Sequence, residues 1–172
     1  MTGPARGGAD PGLATAFRET MAAVCTPVAV MTGLDGELPH GTTVSAFASL
    51  SMNPPMVLVA LDRASELLAL VRRTRRFGLN LLGAGQAGLA RRFAAKGGPA
   101  KFAGVAWERH CGVPRIPGSA GFVGCTVAGL AHGGDHLIVL GNVVAAETTG
   151  DAPLVYHRRT FGTPTALPEG SG

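Results

Sequence analysis

Aromatic residues are scarce in this chain. Seven phenylalanines, one tyrosine and one tryptophan make up 5% of 172 residues. That is too few for the stacking platform that single-stranded nucleic acid requires. Charge is also sparse, at 15% of residues, while 46% are hydrophobic. This balance fits a packed domain and argues against disorder. Only three cysteines occur, Cys25, Cys111 and Cys125, and no C-x-x-C pair is among them. An odd count without a framework reads as reduced thiols in a cytoplasmic protein. The first residues, MTGPARGGADPG, lack the apolar core of a signal peptide. No apolar run approaches the roughly 20 residues of a membrane span. There is no internal repeat and no linker.

What is present is glycine, 26 residues of it, much of it between short apolar runs. The pattern is that of short strands joined by turns. The mean hydropathy of +0.26 is high for a small monomer and suggests a surface covered in an oligomer. The net charge is +4, with arginines gathered at 72, 73, 75, 76, 91 and 92 and again at 158 and 159. An anionic cofactor or substrate explains this excess as well as nucleic acid does.

In chain order, residues 1–12 read as a flexible arm, 13–162 as one domain and 163–172 as a loose tail. The apolar stripe Leu13, Phe17, Met21 and Val24 predicts a helix. TPVAVMT (26–32) predicts a strand, and Asp35-Gly36 a hairpin turn. In GTTVSAFASLSMNPP (41–55), Thr43, Ser45, Phe47, Ser49 and Ser51 alternate with small apolar residues. Taken alone this is a solvent-facing hydroxyl row, though such a row can also hold a phosphate. Met56–Leu61 is a buried strand. Ser65 caps a helix from Glu66 to Arg73. Phe77–Leu82 is a strand with an unexplained polar residue, Asn80. Gln86–Ala95 is a short helix with Arg91 and Arg92 outward. Lys96–Pro117 is a long connection. Ala120–Leu130 and His136–Glu147 form a hairpin about Gly133-Gly134, and Leu154–His157 is a last strand. Six or seven strands and three short helices, without βα alternation, favour a small antiparallel barrel.

Gly83–Gly88 matches G-x-G-x-x-G, but no second parallel strand follows, so a glycine-rich turn is the better reading. His132 and His136 give H-x-x-x-H across two helix-breaking glycines, so convergence on a metal is not expected. Asp135 is placed to orient the ring of His136. Gly118-Ser119-Ala120-Gly121 is no nucleophile elbow, and Cys25 and Cys125 read as core. A pocketed domain without a nucleophile suits a reaction carried by a cofactor.

The ordered set TPVAVMT, HGTTVSAFASLSMNPPMVLVAL, RFGLNLL, LARRFA, KFAG, GGDH and IVLGNV resembles the small flavin reductases of two-component flavin monooxygenases, over roughly residues 14–161. It is most similar to reductases of actinomycete aromatic metabolism and antibiotic biosynthesis. The resemblance implies a mainly β fold, an FMN-binding split β-barrel of antiparallel, Greek-key-like strands with short peripheral helices. It implies a homodimer with flavin at its interface. It also implies reduction of FMN or FAD by NADH or NADPH, and delivery of reduced flavin to a monooxygenase by diffusion. Flavin contacts are implied for Val30, Met31 and Thr32, and for Thr43, Val44, Ser45, Ala46, Ser49, Leu50 and Ser51. Further contacts are implied for Asn80, Leu81, Leu82, Gln86 and Phe93. His136 is the implied catalytic residue, and Asp135, His136 and Tyr156 lie where nicotinamide stacks. Pro27 and Ala46 depart from the family, which often has Gly and Ser there. No metal, nucleic acid or membrane is implied. The alternative is a flavoprotein of the same fold that retains its flavin and acts on another substrate.

Overall fold

A computed structural model describes residues 10–167; the expected arm through residue 9 and the tail beyond 167 lie outside that range. Helix α1 (Pro11–Ala22) starts two residues earlier than its apolar stripe suggests. The side chain of Asp10 accepts the Gly12 N–H at 2.9 Å, and proline occupies the first turn, where its missing N–H costs nothing. None of its residues is buried. The predicted strand 26–32 divides at Val28. Strand β1 (Thr26–Pro27) pairs with a C-terminal strand and β2 (Ala29–Asp35) joins the main sheet. Strand β3 (Leu38–Val44) returns antiparallel to β2 about Gly36-Glu37, one residue later than the expected Asp35-Gly36 turn.

The hydroxyl-rich stretch is not one strand. Ser45-Ala46 interrupts it, and β4 (Phe47–Met52) then pairs with β5 (Pro55–Asp62). Helix α2 (Glu66–Thr74) begins at Ser65, whose Oγ accepts the Leu68 N–H at 3.4 Å, and buries Leu67, Leu68, Leu70 and Val71. Strand β6 (Arg76–Leu81) leads through a single 3₁₀ turn to α3 (Ala87–Ala94). The long connection holds a second 3₁₀ turn and a small hairpin, β7 (Glu108–His110) and β8 (Val113–Arg115). The chain ends with the long pair β9 (Gly121–Gly133) and β10 (His136–Thr148), then β11 (Val155–His157) and β12 (Thr160–Gly162).

Seven strands form one antiparallel sheet in the order β3-β2-β6-β9-β10-β5-β4. Strand β6 therefore lies antiparallel to both neighbours, β2 and β9. The G-x-G-x-x-G turn after it serves no parallel βαβ unit. The two edge strands, β3 and β4, are joined by only Ser45 and Ala46. In a flat sheet, six spacings of about 4.8 Å would set these edges roughly 29 Å apart. Three residue steps span about 11 Å at most. The sheet must therefore curl until its edges nearly meet, as twisted antiparallel sheets do. The Ala60 N–H donating to the Ala46 carbonyl at 2.8 Å ties the link to β5. No ladder joins β3 to β4, so the barrel is left open along this seam.

Two apolar cores fill the molecule. One packs Met31, Val59, Phe77, Leu79 and Val139 under α2. The other packs Val30, Leu82, Phe93, Phe102 and Leu154 under α3. No helix among the described residues is long and apolar enough to cross a membrane.

Candidate functional site

The open seam is where side chains with chemistry converge. A groove of about 270 Å³ is lined by Thr42, Val44, Ala46, Asp62, Ser65 and His136. A larger cavity of about 630 Å³ is lined by Val28, Ala90, Arg91, Tyr156, Arg159 and Phe161. Thr43 and Ser45 line both the seam groove and the larger cavity, so the two spaces flank the same short segment. The site thus owes its position to the Ser45-Ala46 link, which leaves β3 before β4 begins.

At the groove end, His136 opens β10 directly after a Gly134-Asp135 turn, one residue later than the expected Gly133-Gly134, and Gly134 takes a φ of 62° that a side chain would disfavour. Its Nδ1 lies 2.7 Å from Asp135 Oδ1. The hydrogen bond from His136 holds the Asp135 carboxyl below its ordinary range, with the histidine's charge adding to the effect. With Nδ1 donating to Asp135, Nε2 is left for a ligand. His132 does not join it. Its Nδ1 takes a contact from Arg63 Nη2 at 3.0 Å, and among the described residues no group of three or more His, Cys, Asp or Glu gathers for a metal.

At the cavity end, the Thr43 hydroxyl donates to the Ala90 carbonyl at 2.7 Å, fastening β3 to α3. The Arg91 guanidinium lies over the Phe161 ring, 5.1 Å from its centroid, and Tyr156 packs on Phe161 at 5.0 Å. This end combines hydroxyls, two guanidinium groups and two aromatic rings, a donor set suited to a phosphorylated aromatic ligand.

Of the residues expected to touch flavin, Thr43, Val44, Ser45 and Ala46 line the seam, and His136 and Tyr156 lie on its two sides. Val30, Met31 and Thr32 are completely buried in the barrel wall, and the Thr32 hydroxyl donates to the Pro114 carbonyl at 2.7 Å. Asn80 is fully buried, with Oδ1 accepting the Ile116 N–H at 2.7 Å and Nδ2 facing the carbonyls of Val30 and Pro114. Its polar capacity is spent on joining strands. Leu82 and Phe93 are core residues, and Leu81 packs against the other core. Gln86 accepts the Gly83 N–H and donates to the Pro117 carbonyl. These side chains do not reach either space because the wall uses them inward. Ser49, Leu50 and Ser51 sit farther along β4, at the sheet edge. There Phe47, placed with the hydroxyls by simple alternation, turns to the core, and a register shift between Ser49 and Ser51 breaks the pattern. Arg159 entered the sequence reading only as part of a basic cluster, and Phe161 was not singled out. Their signal was a pair of arginines between two very short strands.

Residues 21–165 match the family model described as flavin reductase like domain. The chain is 37% identical over 146 residues to the reductase component of a 4-nitrophenol 4-monooxygenase/4-nitrocatechol 2-monooxygenase from Rhodococcus opacus, covering 85% of this chain and 78% of the relative. It is 36% identical over 174 residues to an NADH:riboflavin 5'-phosphate oxidoreductase of Streptomyces pristinaespiralis, covering 96% of both. Among solved structures, an NADH:FAD oxidoreductase of Streptomyces globisporus in complex with NAD and FAD fragments superposes with a TM-score of 0.83 at 28% identity. That match covers 94% of this chain and 98% of the other.

Proposed function

Because this chain belongs to the flavin reductase-like family, we propose that it is an NAD(P)H:flavin oxidoreductase that supplies reduced flavin to a partner monooxygenase. The observation that carries this reading is the seam, with His136 on one side and an arginine-lined cavity on the other, both bordering Thr43 and Ser45. Flavin, when bound, supplies the ring system that accepts the two electrons of the nicotinamide. The protein's own work is to hold two rings face to face at about 3–3.5 Å. Thr43 and Ser45 offer hydroxyls to the flavin's chain. Arg91 gives the phosphate a positive partner. His136, steadied by Asp135, orients the nicotinamide side and offers Nε2 to the charge that develops there. No protein nucleophile is required.

FMN and NADH are the named substrates of the Streptomyces pristinaespiralis relative, and FAD is named for the structural relative. The open barrel is the half-built site of a split-barrel homodimer. Leu50, Met52 and Val144 stand exposed on and near the β4 edge, and a second copy would cover them and close the site. The enzyme works in the cytoplasm, with flavin as a diffusing substrate.

The test is NADH oxidation followed at 340 nm with purified protein, without flavin and then with FMN or FAD. Turnover that appears only with added flavin and tracks its concentration supports the reading. A yellow protein without flavin-dependent turnover would replace it with a flavoprotein that keeps its cofactor.

A further inference from the structure

The hairpin that closes the large cavity is built against its own backbone preference. Strands β11 and β12 pair Val155 with Gly162, Tyr156 with Phe161 and His157 with Thr160, leaving Arg158 and Arg159 as a two-residue turn. Both sit at positive φ, 46° and 63°. Turns of this kind favour Asn-Gly, because glycine has no Cβ and asparagine's short side chain bonds locally, whereas arginine is disfavoured at each position. Strain of this sort persists where surroundings impose it, and it gathers at ligand sites.

The two arginines are placed differently. Arg158 gives its backbone N–H to the Ala22 carbonyl at the end of α1, at 2.8 Å, and lines a separate shallow hollow with Glu19 and Ala23. Arg159 borders that hollow too, but it also lines the 630 Å³ cavity with Thr43, Ser45, Arg91 and Tyr156. Its Nη2 is held by Glu19 Oε1 at 2.5 Å. That contact uses one of five guanidinium N–H donors and leaves the fork able to take an oxyanion.

We propose that Arg159 is a phosphate-binding residue of the cavity. It shares the cavity wall with Arg91, is steadied by Glu19, and selects phosphorylated flavin over riboflavin. This rests on the flavin reductase reading. The phosphate of FMN, or the pyrophosphate of FAD, lies at this end, while the ring lies toward His136. The strained turn is retained because it aims the Arg159 side chain into the cavity.

The experiment measures dissociation constants for riboflavin, FMN and NADH with the full chain, by flavin fluorescence and calorimetry. The wild type, Arg159→Gln, Arg159→Gly and Arg158→Gln are compared, with melting temperatures. Arg159→Gln weakens FMN by about threefold to tenfold, the range expected for a half-exposed charge, and leaves riboflavin unchanged. Arg158→Gln keeps FMN affinity. Arg159→Gly loses the same FMN affinity while its melting temperature rises by about 2–4 °C, because glycine relieves the turn. An arginine with a purely structural role would lose stability with affinity.

Equal weakening of FMN and riboflavin, or no change in either, overturns the proposal. So does weakening of NADH in place of FMN, which would assign the phosphate to the dinucleotide. A wild type that binds FMN normally while Arg159→Gln does as well sinks this inference alone. A wild type that binds no flavin and oxidises no NADH in its presence sinks the flavin reductase reading with it.

Discussion

The side-chain oxygen of Asn80 accepts the backbone N–H of Ile116 at 2.7 Å, while its amide nitrogen faces Val30 O at 3.2 Å and Pro114 O at 3.3 Å. One buried side chain therefore stitches β6 to β2 and to the segment after β8. Its place in a strand, disfavoured by propensity, is explained by this bridging.

Asn80→Leu leaves the buried Ile116 N–H without its partner and takes a donor from the Val30 and Pro114 carbonyls, the latter keeping the Thr32 hydroxyl. The expected loss is about 3 kcal/mol, seen as a fall in melting temperature of roughly 6–12 °C. Flavin affinity of the folded fraction stays near wild type. A stable Asn80→Leu protein that has lost flavin binding would make Asn80 a flavin ligand.

His136→Ala removes the ring that borders the groove without touching the cavity end. NADH oxidation at saturating flavin falls about tenfold or more, and the FMN dissociation constant changes little. Unchanged steady-state NADH oxidation would sink the assignment. The pairing with Asp135 has a defined pH window. The carboxyl is held below its ordinary 3.8, so the interaction is whole above that value and is lost as pH falls through the lowered one. Asp135→Asn should therefore show the same relative defect at pH 6 as at pH 8.

Gly141 lies on β10 at a register shift, against the ring tip of Phe77. A methyl built there stands 2.5 Å from Phe77 Cζ, and Phe77 is wholly buried with no room to swing. Gly141→Ala costs about 1–3 kcal/mol by overpacking. Chemical denaturation reads this as a lower midpoint with an unchanged slope.

The three cysteines should react in order of access. Cys25 is exposed, Cys111 half-buried and Cys125 buried. Burial pushes the Cys125 thiol up to about 12, so at pH 8 roughly one molecule in ten thousand carries a thiolate there. Iodoacetamide at pH 8 alkylates Cys25 first and leaves Cys125 untouched until the protein unfolds, as peptide mass spectrometry would show.

The sequence by itself determined the elements whose signals are local. Ser65 before an apolar stripe made α2, and Gly36 and Gly134 marked the two hairpins, whose turns are Gly36-Glu37 and Gly134-Asp135, one residue later than expected. The motif order carried the family, and it was that resemblance that implied Thr43, Ser45 and His136 as site residues, since the hydroxyl row taken alone reads as solvent-facing. Only the tertiary structure decided the rest. Whether β3 runs on into β4 depends on sheet closure, which no two-residue period encodes. Alternation consequently misplaced Phe47, which closure turned to the core. Asn80, Gln86 and Phe93 carry the same side chains whether they face a ligand or a neighbouring strand, and long-range packing turned them inward. Arg159 reaches the cavity only because β11 and β12 fold back beside β1, a pairing between residues more than a hundred positions apart.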